Sequence, residues 1–545
     1  MSTVTRSEFI QPDSGCEGVM PTPPGGSPGL PLAEAGALDP DAVERSASGI
    51  PRLLVGALQG RSGKTTVTLG LLRAWQRRGL IVQPFKKGPD FIDPGWHTAA
   101  AGRQCRNLDS FLMSAESIVN SLVRNAEGAD LCLIEGAMGL FDGLDLKGSS
   151  SSAEIAKITA SPVILVVDST RMTRSAAALV LGCQHFDSEI RIAGVILNKV
   201  ARARQEKIMR EAIEAYCSIP VLGALPKDER LTVPDRHLGL ITCQESRGPE
   251  EVLDRLADAV AANVDLAKLF ALAGPDERER TRKRNLSTEV HGEARAKAEA
   301  VPAGESVEGT AEKSPAAEEV TLGIVRDQAF SFYYPENLEA LRNMGARLVL
   351  VNSLTDAELP DTVDGLYIGG GFPEVFAAEL ERNVSLRLAI RKAAVSMPIY
   401  AECGGLMYLG RTVVTGTGRY EMAGVLPVDT VMEGKPQGHG YTVMKVSPGC
   451  PWFEEGESLR GHEFHNSRLV NVPGDCHWGL TVERGHGIDG EHDGLMRGRV
   501  FAAYNHIHAQ DNPSWAESFV RLAREYRREK AVDLKDGKVE SACAS

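Results

Sequence analysis

The apolar run Leu53-Leu-Val-Gly leads into Gly60-Arg-Ser-Gly63-Lys64-Thr65-Thr66, which opens a helix-like stretch from Thr65 to Arg78. A strand that turns through glycines into a helix beginning Gly-Lys-Thr leaves few folds open. Its backbone N–H groups converge on an anion, and the strand must lie inside a covered sheet. Further apolar strands are predicted at Leu80–Phe85, Leu131–Ile134, Val163–Val167 and Ile192–Leu197, with helical segments between them. Strands this apolar are buried on both faces, as in a parallel sheet with helices on either side. A second unit of the same kind begins at Val320-Thr-Leu-Gly-Ile-Val325 and continues at Arg347–Val351, Gly365–Ile368 and Met397–Tyr400. A chain of 545 residues also implies at least two domains, because a single core does not grow to that size.

Residues 1–49 are rich in Pro, Gly and Ser without periodicity, so a disordered N-terminal extension is expected. The first domain is expected over 50–270 and the second over 319–527. Between them, over 271–318, Glu277-Arg-Glu-Arg-Thr-Arg-Lys-Arg and an Ala-, Glu-, Gly- and Ser-rich stretch read as a solvated linker. From Arg528 apolar content falls and the tail is expected to fray. The basic run of the linker is interleaved with Glu, and the net charge is −13, which argues against nucleic acid as a partner. No apolar run approaches the roughly 20 residues that span a bilayer, and no basic segment followed by an apolar core marks a secretory signal. Ten scattered cysteines form no C-x-x-C pair, so neither a disulfide framework nor a zinc site is expected. A reducing cytoplasm is the simplest setting, and a homodimer is the expected assembly.

Three loops at strand ends carry phosphate chemistry. In the first, Gly60, Gly63, Lys64, Thr65 and Thr66 offer N–H groups, an ammonium and a hydroxyl for Mg²⁺, although Leu58 stands where the strict motif has its first Gly. The second, Phe85-Lys86-Lys-Gly-Pro-Asp90-Phe-Ile-Asp93-Pro, places carboxylates beside lysines, as a Mg²⁺–ATP site requires. The third follows Leu131-Cys-Leu-Ile and delivers Glu135 to the same crevice. Asn198, at the end of Gly194-Val-Ile-Leu-Asn198, is either a contact to the nucleotide base or a strand cap.

The second unit carries Pro398-Ile-Tyr-Ala-Glu-Cys403-Gly-Gly, a strand turning sharply into a helix. This is the geometry of a nucleophile elbow, which implies an exposed thiol whose pKa the helix N-terminus lowers. The N–H of Gly404 suits an oxyanion, and Gly370 within Gly369-Gly-Gly-Phe-Pro-Glu374 offers a second donor. The thiol needs a base, usually His. Two clusters compete for that role: Gly461-His-Glu-Phe-His465-Asn-Ser and Val500-Phe-Ala-Ala-Tyr-Asn-His506-Ile-His508.

Together, Gly60–Thr66, Phe85–Pro94, Glu135–Gly143 and Pro234-Asp-Arg-His-Leu-Gly-Leu240 closely resemble the cobyrinic acid a,c-diamide synthase family over roughly residues 52–265 and 320–527. The resemblance implies a P-loop, dethiobiotin-synthetase-like parallel-sheet domain followed by a class I, triad-type glutamine amidotransferase domain. It implies that Lys64, Thr65, Lys86, Asp90 and Glu135 handle ATP and Mg²⁺, with Thr65, Asp90 and Glu135 as metal ligands, and it favours Asn198 as the adenine contact. In the family pattern the catalytic His follows a Tyr by two residues, which points to His506, with His508 the alternative. No His-Pro-Glu triplet is present, so a third triad member is undefined. The activity implied is ATP-dependent amidation of the a and c acetates of cobyrinate with ammonia from glutamine. Rival readings are the same chemistry on sirohaem, nickel-sirohydrochlorin or hydrogenobyrinate, and a P-loop regulatory ATPase with a degenerate glutaminase domain.

Overall fold

A computed structural model describes residues 49–274, apart from 237, 238, 241, 244 and 247, and residues 319–535; side chains at 235, 236, 239, 240 and 533–535 are outside the description. Seven strands form the first sheet: β1 (Arg52–Ala57), β2 (Val82–Lys87), β3 (Arg106–Leu108), β4 (Leu131–Glu135), β5 (Val163–Asp168), β6 (Ile192–Val200) and β7 (Val221–Pro226). Their spatial order is β3-β2-β4-β1-β5-β6-β7, and every pairing is parallel. β1 is buried along its whole length, as a strand covered on both faces must be. β2 starts at Val82 rather than Leu80: Ile81, half exposed, lies just before the first residue paired with β4, and the strand runs on to Lys87. That extension carries Lys86 and Lys87 into the crevice at the carboxyl ends of the strands.

The second sheet has ten strands. Ala346–Val351, Val320–Val325, Gly365–Ile368, Ile399–Glu402 and Val500–Ala503 lie side by side and parallel. Antiparallel strands His492–Arg497, His477–Arg484, Gly438–Val446, Ser458–His465 and His506–Ile507 then continue it. The antiparallel half folds back so that His506–Ile507 reaches the end of Ile399–Glu402, where Cys403 sits.

Residues 106–117 supply one set of the contacts between the two units. Phe111 stacks on Tyr441 at 4.5 Å while the Tyr441 hydroxyl donates to Asp109 at 2.5 Å. Arg106 donates to Glu339 at 2.5 Å and lies 3.4 Å from Glu336, and Asp511 accepts from the backbone of Ser114 at 2.7 Å. Burial of Phe111 is worth about 1.5–3 kcal/mol against exposure, a gain its own unit's core shares with this contact.

Two expected boundaries move. Helix Leu266–Ala273 passes the expected linker start at 271, since Leu266 and Leu269 are buried against the first unit. The tail does not fray at Arg528: helix Pro513–Lys535 continues beyond it. Arg524 and Lys530 donate to the carbonyls of Met344 and Asp361 at 2.8 and 2.6 Å, and Glu529 pairs with Arg499 at 2.6 Å. Past Arg528 it is charged side chains, Glu529 and Lys530, that pin this helix. The expected disordered extension, apart from Gly49, and most of the expected linker fall outside the described residues, as do His237 and Leu238 of the Pro234–Leu240 motif.

Candidate active site

The loop after β1 turns through Gly63, whose φ of 92° favours glycine, into helix Lys64–Gln76. A Cβ at that position would also run into the Asn198 amide. Asn198 spends one amide hydrogen on the Ser62 carbonyl at 2.9 Å, so the structure gives it the job of bracing this loop. Lys199 adds a second brace, donating to the Arg61 carbonyl at 2.9 Å and to Asp168 at 2.7 Å. Lys64 folds over the loop and donates to the Met138 carbonyl at 2.6 Å. Burial lowers its pKa, with Glu135 opposing. Gly60 faces Met138, and the Thr66 hydroxyl turns away towards the Leu231 carbonyl at 3.4 Å.

β2 and β4 bring a charged cluster together beneath the loop. Lys86 donates to Asp93 at 2.5 Å and to Glu135 at 2.9 Å, and lies 4.0 Å from Asp90. Burial works against the Lys86 charge, yet Asp93, Glu135 and Asp90 outweigh it and hold its pKa well above the ordinary value. Glu135 is fully buried; burial opposes its charge, but Lys86 and His97 keep it ionised and its pKa low. Asp93 is pushed up to about 6, by burial first and by Asp90 next. The Thr65 hydroxyl donates to Glu135 at 2.7 Å. His97 completes the cluster, its Nε2 2.6 Å from Glu135 and its Nδ1 3.6 Å from the Cys105 sulfur. Sequence reasoning did not single out His97: one His inside an ordinary helical stretch, Asp93–Ala101, gives no sign of the partner it meets.

In the second unit Cys403 occupies a strained turn, with φ 46° and ψ −99°. Its N–H donates to the Ala503 carbonyl at 2.7 Å, and Gly405 lets the helix Gly404–Leu409 press onto Ile368, where a Cβ would strike the carbonyl. The thiol is buried, with 6% exposure, which corrects the expectation of an exposed group. Its pKa is also raised rather than lowered. Burial is the main cause, and Glu374, Glu402 and Asp493 add to it against the opposing Gly404 N–H. The helix N-terminus does not overcome desolvation here, so the thiol rests protonated.

His506 lies against the other expected oxyanion element, Gly370: a Cβ there would fall 2.5 Å from its Cε1 and 3.2 Å from its Nε2. The Gly370 turn also approaches Gly404, since a Cβ on the latter would sit 3.0 Å from the Gly371 nitrogen. Cys403, Gly404, Gly370 and His506 are thereby gathered at one place. Glu402, immediately before the nucleophile, lies 3.3 Å from His506 Nδ1 and accepts from the Tyr367 hydroxyl at 3.1 Å. This carboxylate against the imidazole is a contact that no local motif announced. The competing histidines have other partners. His508 faces Glu336 at 3.6 Å, and His465 Nδ1 meets the Ser467 carbonyl at 2.8 Å while its ring stacks on Tyr504. His462 stacks on His506 at 5.0 Å, and burial drives its pKa well below the ordinary value.

A phosphate-binding parallel sheet joined to a Cys–His elbow domain defines a class: an ATP-using amide ligase that carries its own glutaminase. Residues 53–241 match the family described as the CobQ/CobB/MinD/ParA nucleotide binding domain, and residues 321–514 match the CobB/CobQ-like glutamine amidotransferase domain. The chain is similar to the cobyrinate a,c-diamide synthase of Magnetococcus marinus, 44% identical over 87% of this chain and 98% of the relative. Those of Archaeoglobus fulgidus (42%, over 87% and 98%) and Methanosarcina barkeri (38%, over 89% and 98%) are similar across the same extent. The chain belongs to the cobyrinate a,c-diamide synthase family. No described helix is long and apolar enough to cross a membrane.

Proposed function

We propose that the protein amidates the a and c acetate carboxylates of cobyrinate, using ATP and the amide nitrogen of glutamine. The observation that carries this is the near end-to-end similarity to cobyrinate a,c-diamide synthases, at 44% identity over 98% of one relative. At the glutaminase centre, His506 takes the Cys403 proton as sulfur attacks the glutamine carboxamide, and Glu402 holds the imidazole. The N–H groups of Gly404 and the Gly370 turn face the developing oxyanion. His506 returns the proton to the departing nitrogen, ammonia leaves, and water hydrolyses the thioester to glutamate. At the ATP centre, a substrate carboxylate attacks the γ-phosphorus, releasing ADP and forming an acyl phosphate. Lys64 and Lys86 stabilise charge on the moving phosphoryl group. Ammonia then displaces phosphate to give the amide.

Among the described residues no group of three or more His, Cys, Asp or Glu is preassembled around a cation. The donors still fit Mg²⁺, which typically takes one or two protein oxygens and completes its shell with phosphate and water. Thr65 and Glu135 offer two hard oxygens 2.7 Å apart at the helix that opens the phosphate loop, with Asp90 beside Lys86 as a further donor. When bound there, Mg²⁺ would neutralise phosphate charge. Exposed Leu179, Phe186 and Tyr216 supply apolar surface for a homodimer, which sedimentation velocity tests.

Amide formation on purified cobyrinate, hydrogenobyrinate, sirohaem and nickel-sirohydrochlorin tests the substrate assignment. Diamide formed fastest from cobyrinate is expected; full turnover of sirohaem with none of cobyrinate would overturn it.

A further inference from the structure

The loop after β2 belongs to both centres. Asp90 and Asp93 turn towards Lys86, at 4.0 and 2.5 Å, while Phe91 between them turns towards the glutaminase. Its ring lies 5.1 Å from His506 and 5.5 Å from His462, stacks on Phe332 at 5.2 Å and meets Tyr334 at 4.5 Å. The backbone beneath it is tightly held. Asp90 accepts from the N–H groups of Ile92 and Asp93 at 2.8 and 3.1 Å, and the Asn107 amide donates to the carbonyls of Gly88 and Asp90 at 2.8 Å each. A loop braced this way passes a displacement of its carboxylates on to its ring, because its backbone has little freedom to absorb it.

His506, in turn, is seated more by rings than by hydrogen bonds. Its 3.3 Å approach to Glu402 is longer than a well-formed N–H···O bond, about 2.7–3.2 Å. Its ring meets His462 on one side and Phe91 on another, and an edge rests on Gly370. The Cys403 thiol, brought to the same turn as this ring by Gly404 and Gly370, is buried and its pKa is raised by that burial, so glutamine hydrolysis depends on how well this imidazole is placed.

We propose that Phe91 is a positioning residue for His506, through which ligands bound at Lys86, Asp90 and Asp93 set the rate of glutamine hydrolysis. The inference rests on the proposed pairing of Cys403 with His506. Phe91 touches no reacting atom; it acts through the imidazole it packs against. A synthase with an idle ATP centre would then waste little glutamine.

Full-length Phe91→Ala, Phe91→Tyr and Cys403→Ala proteins test this, read by glutamate release with and without ATP and cobyrinate, and by ADP release driven by ammonium. Phe91→Ala should lower kcat for glutamate release roughly 10- to 100-fold, leave KM for glutamine near wild type, and remove its stimulation by ATP and cobyrinate. Ammonium-driven ADP release should stay near wild type, which also reports a folded protein, and Phe91→Tyr should restore glutamate release. Parallel loss of ammonium-driven turnover would place Phe91 in the ATP centre and overturn the proposal. Unchanged glutamate release in Phe91→Ala, or a wild type that ATP and cobyrinate do not stimulate, would also overturn it. If Cys403→Ala still hydrolyses glutamine, the underlying pairing fails instead, and that result is distinct from all of these.

Discussion

At the ATP centre the charged groups already hold one another. Lys86 sits among Asp93, Glu135 and Asp90, with Thr65 sharing its Glu135 oxygen and His97 on the other, and the cluster lies in a buried crevice. At the glutaminase centre the reactive group is instead buried and protonated, held on a strained backbone turn beside an imidazole with one long contact to a carboxylate. The first centre is preorganised by charge. The second is preorganised by backbone shape, and its charge has to be generated during each turnover. The difference suits the chemistry: ATP brings its own charge, whereas glutamine is neutral and needs a thiolate made on demand.

Variants can break this comparison one centre at a time. Cys403→Ala should lower glutamine-dependent amidation by about 10⁴-fold or more, with ammonium-dependent amidation near wild type. Product assays with each nitrogen source measure both. Lys86→Met should lose roughly 10²- to 10³-fold with either nitrogen source, because phosphoryl transfer is common to both. A loss confined to glutamine would show that Lys86 does not serve the ATP centre. Glu402→Gln should cost about 10²-fold in kcat for glutamate release with little change in KM, since the imidazole loses the carboxylate that orients it; a normal kcat would remove Glu402 from the triad.

The last effect concerns stability. Asp493 accepts N–H bonds from Gly494, Tyr504 and Asn505 just before His506, yet burial pushes its pKa up to about 6 from 3.8. A folded pKa above the ordinary value means that its stabilising contribution is full below the ordinary carboxylate range and is lost as pH rises through about 6. The loss is on the order of 3 kcal/mol. Thermal melting from pH 4 to 7 should therefore fall more steeply in wild type than in Asp493→Asn; equal slopes would show that Asp493 does not carry it.

Much of this was legible from local pattern. The phosphate loop and the elbow both combine an apolar strand, glycines and a reactive side chain within a few residues, so chemistry and backbone geometry sit together in the chain. The parallel strands announced themselves by being apolar throughout, as β1 and β4 are. Glu402 and His97 were not legible because what defines them is a partner far away in sequence: His506 for one, Glu135 for the other. The antiparallel half of the second sheet was missed for a related reason. Gly438–Val446 mixes buried and exposed positions with glycines and polar residues, and only its cross-strand partners make it a strand. The Cys403 thiol shows a further limit. A helix N-terminus is visible in sequence, but the burial that outweighs it belongs to the packed fold.

The central claim is that the two centres perform one coupled amidation on cobyrinate. The most direct measurement incubates the protein with cobyrinate, ATP, Mg²⁺, glutamine labelled with ¹⁵N at its amide and unlabelled ammonium, and weighs the product by mass spectrometry. The account predicts a,c-diamide carrying ¹⁵N in both new amides, with one ADP and one glutamate released per amide. Glutamate and ADP released without amide, or diamide lacking ¹⁵N, would contradict it.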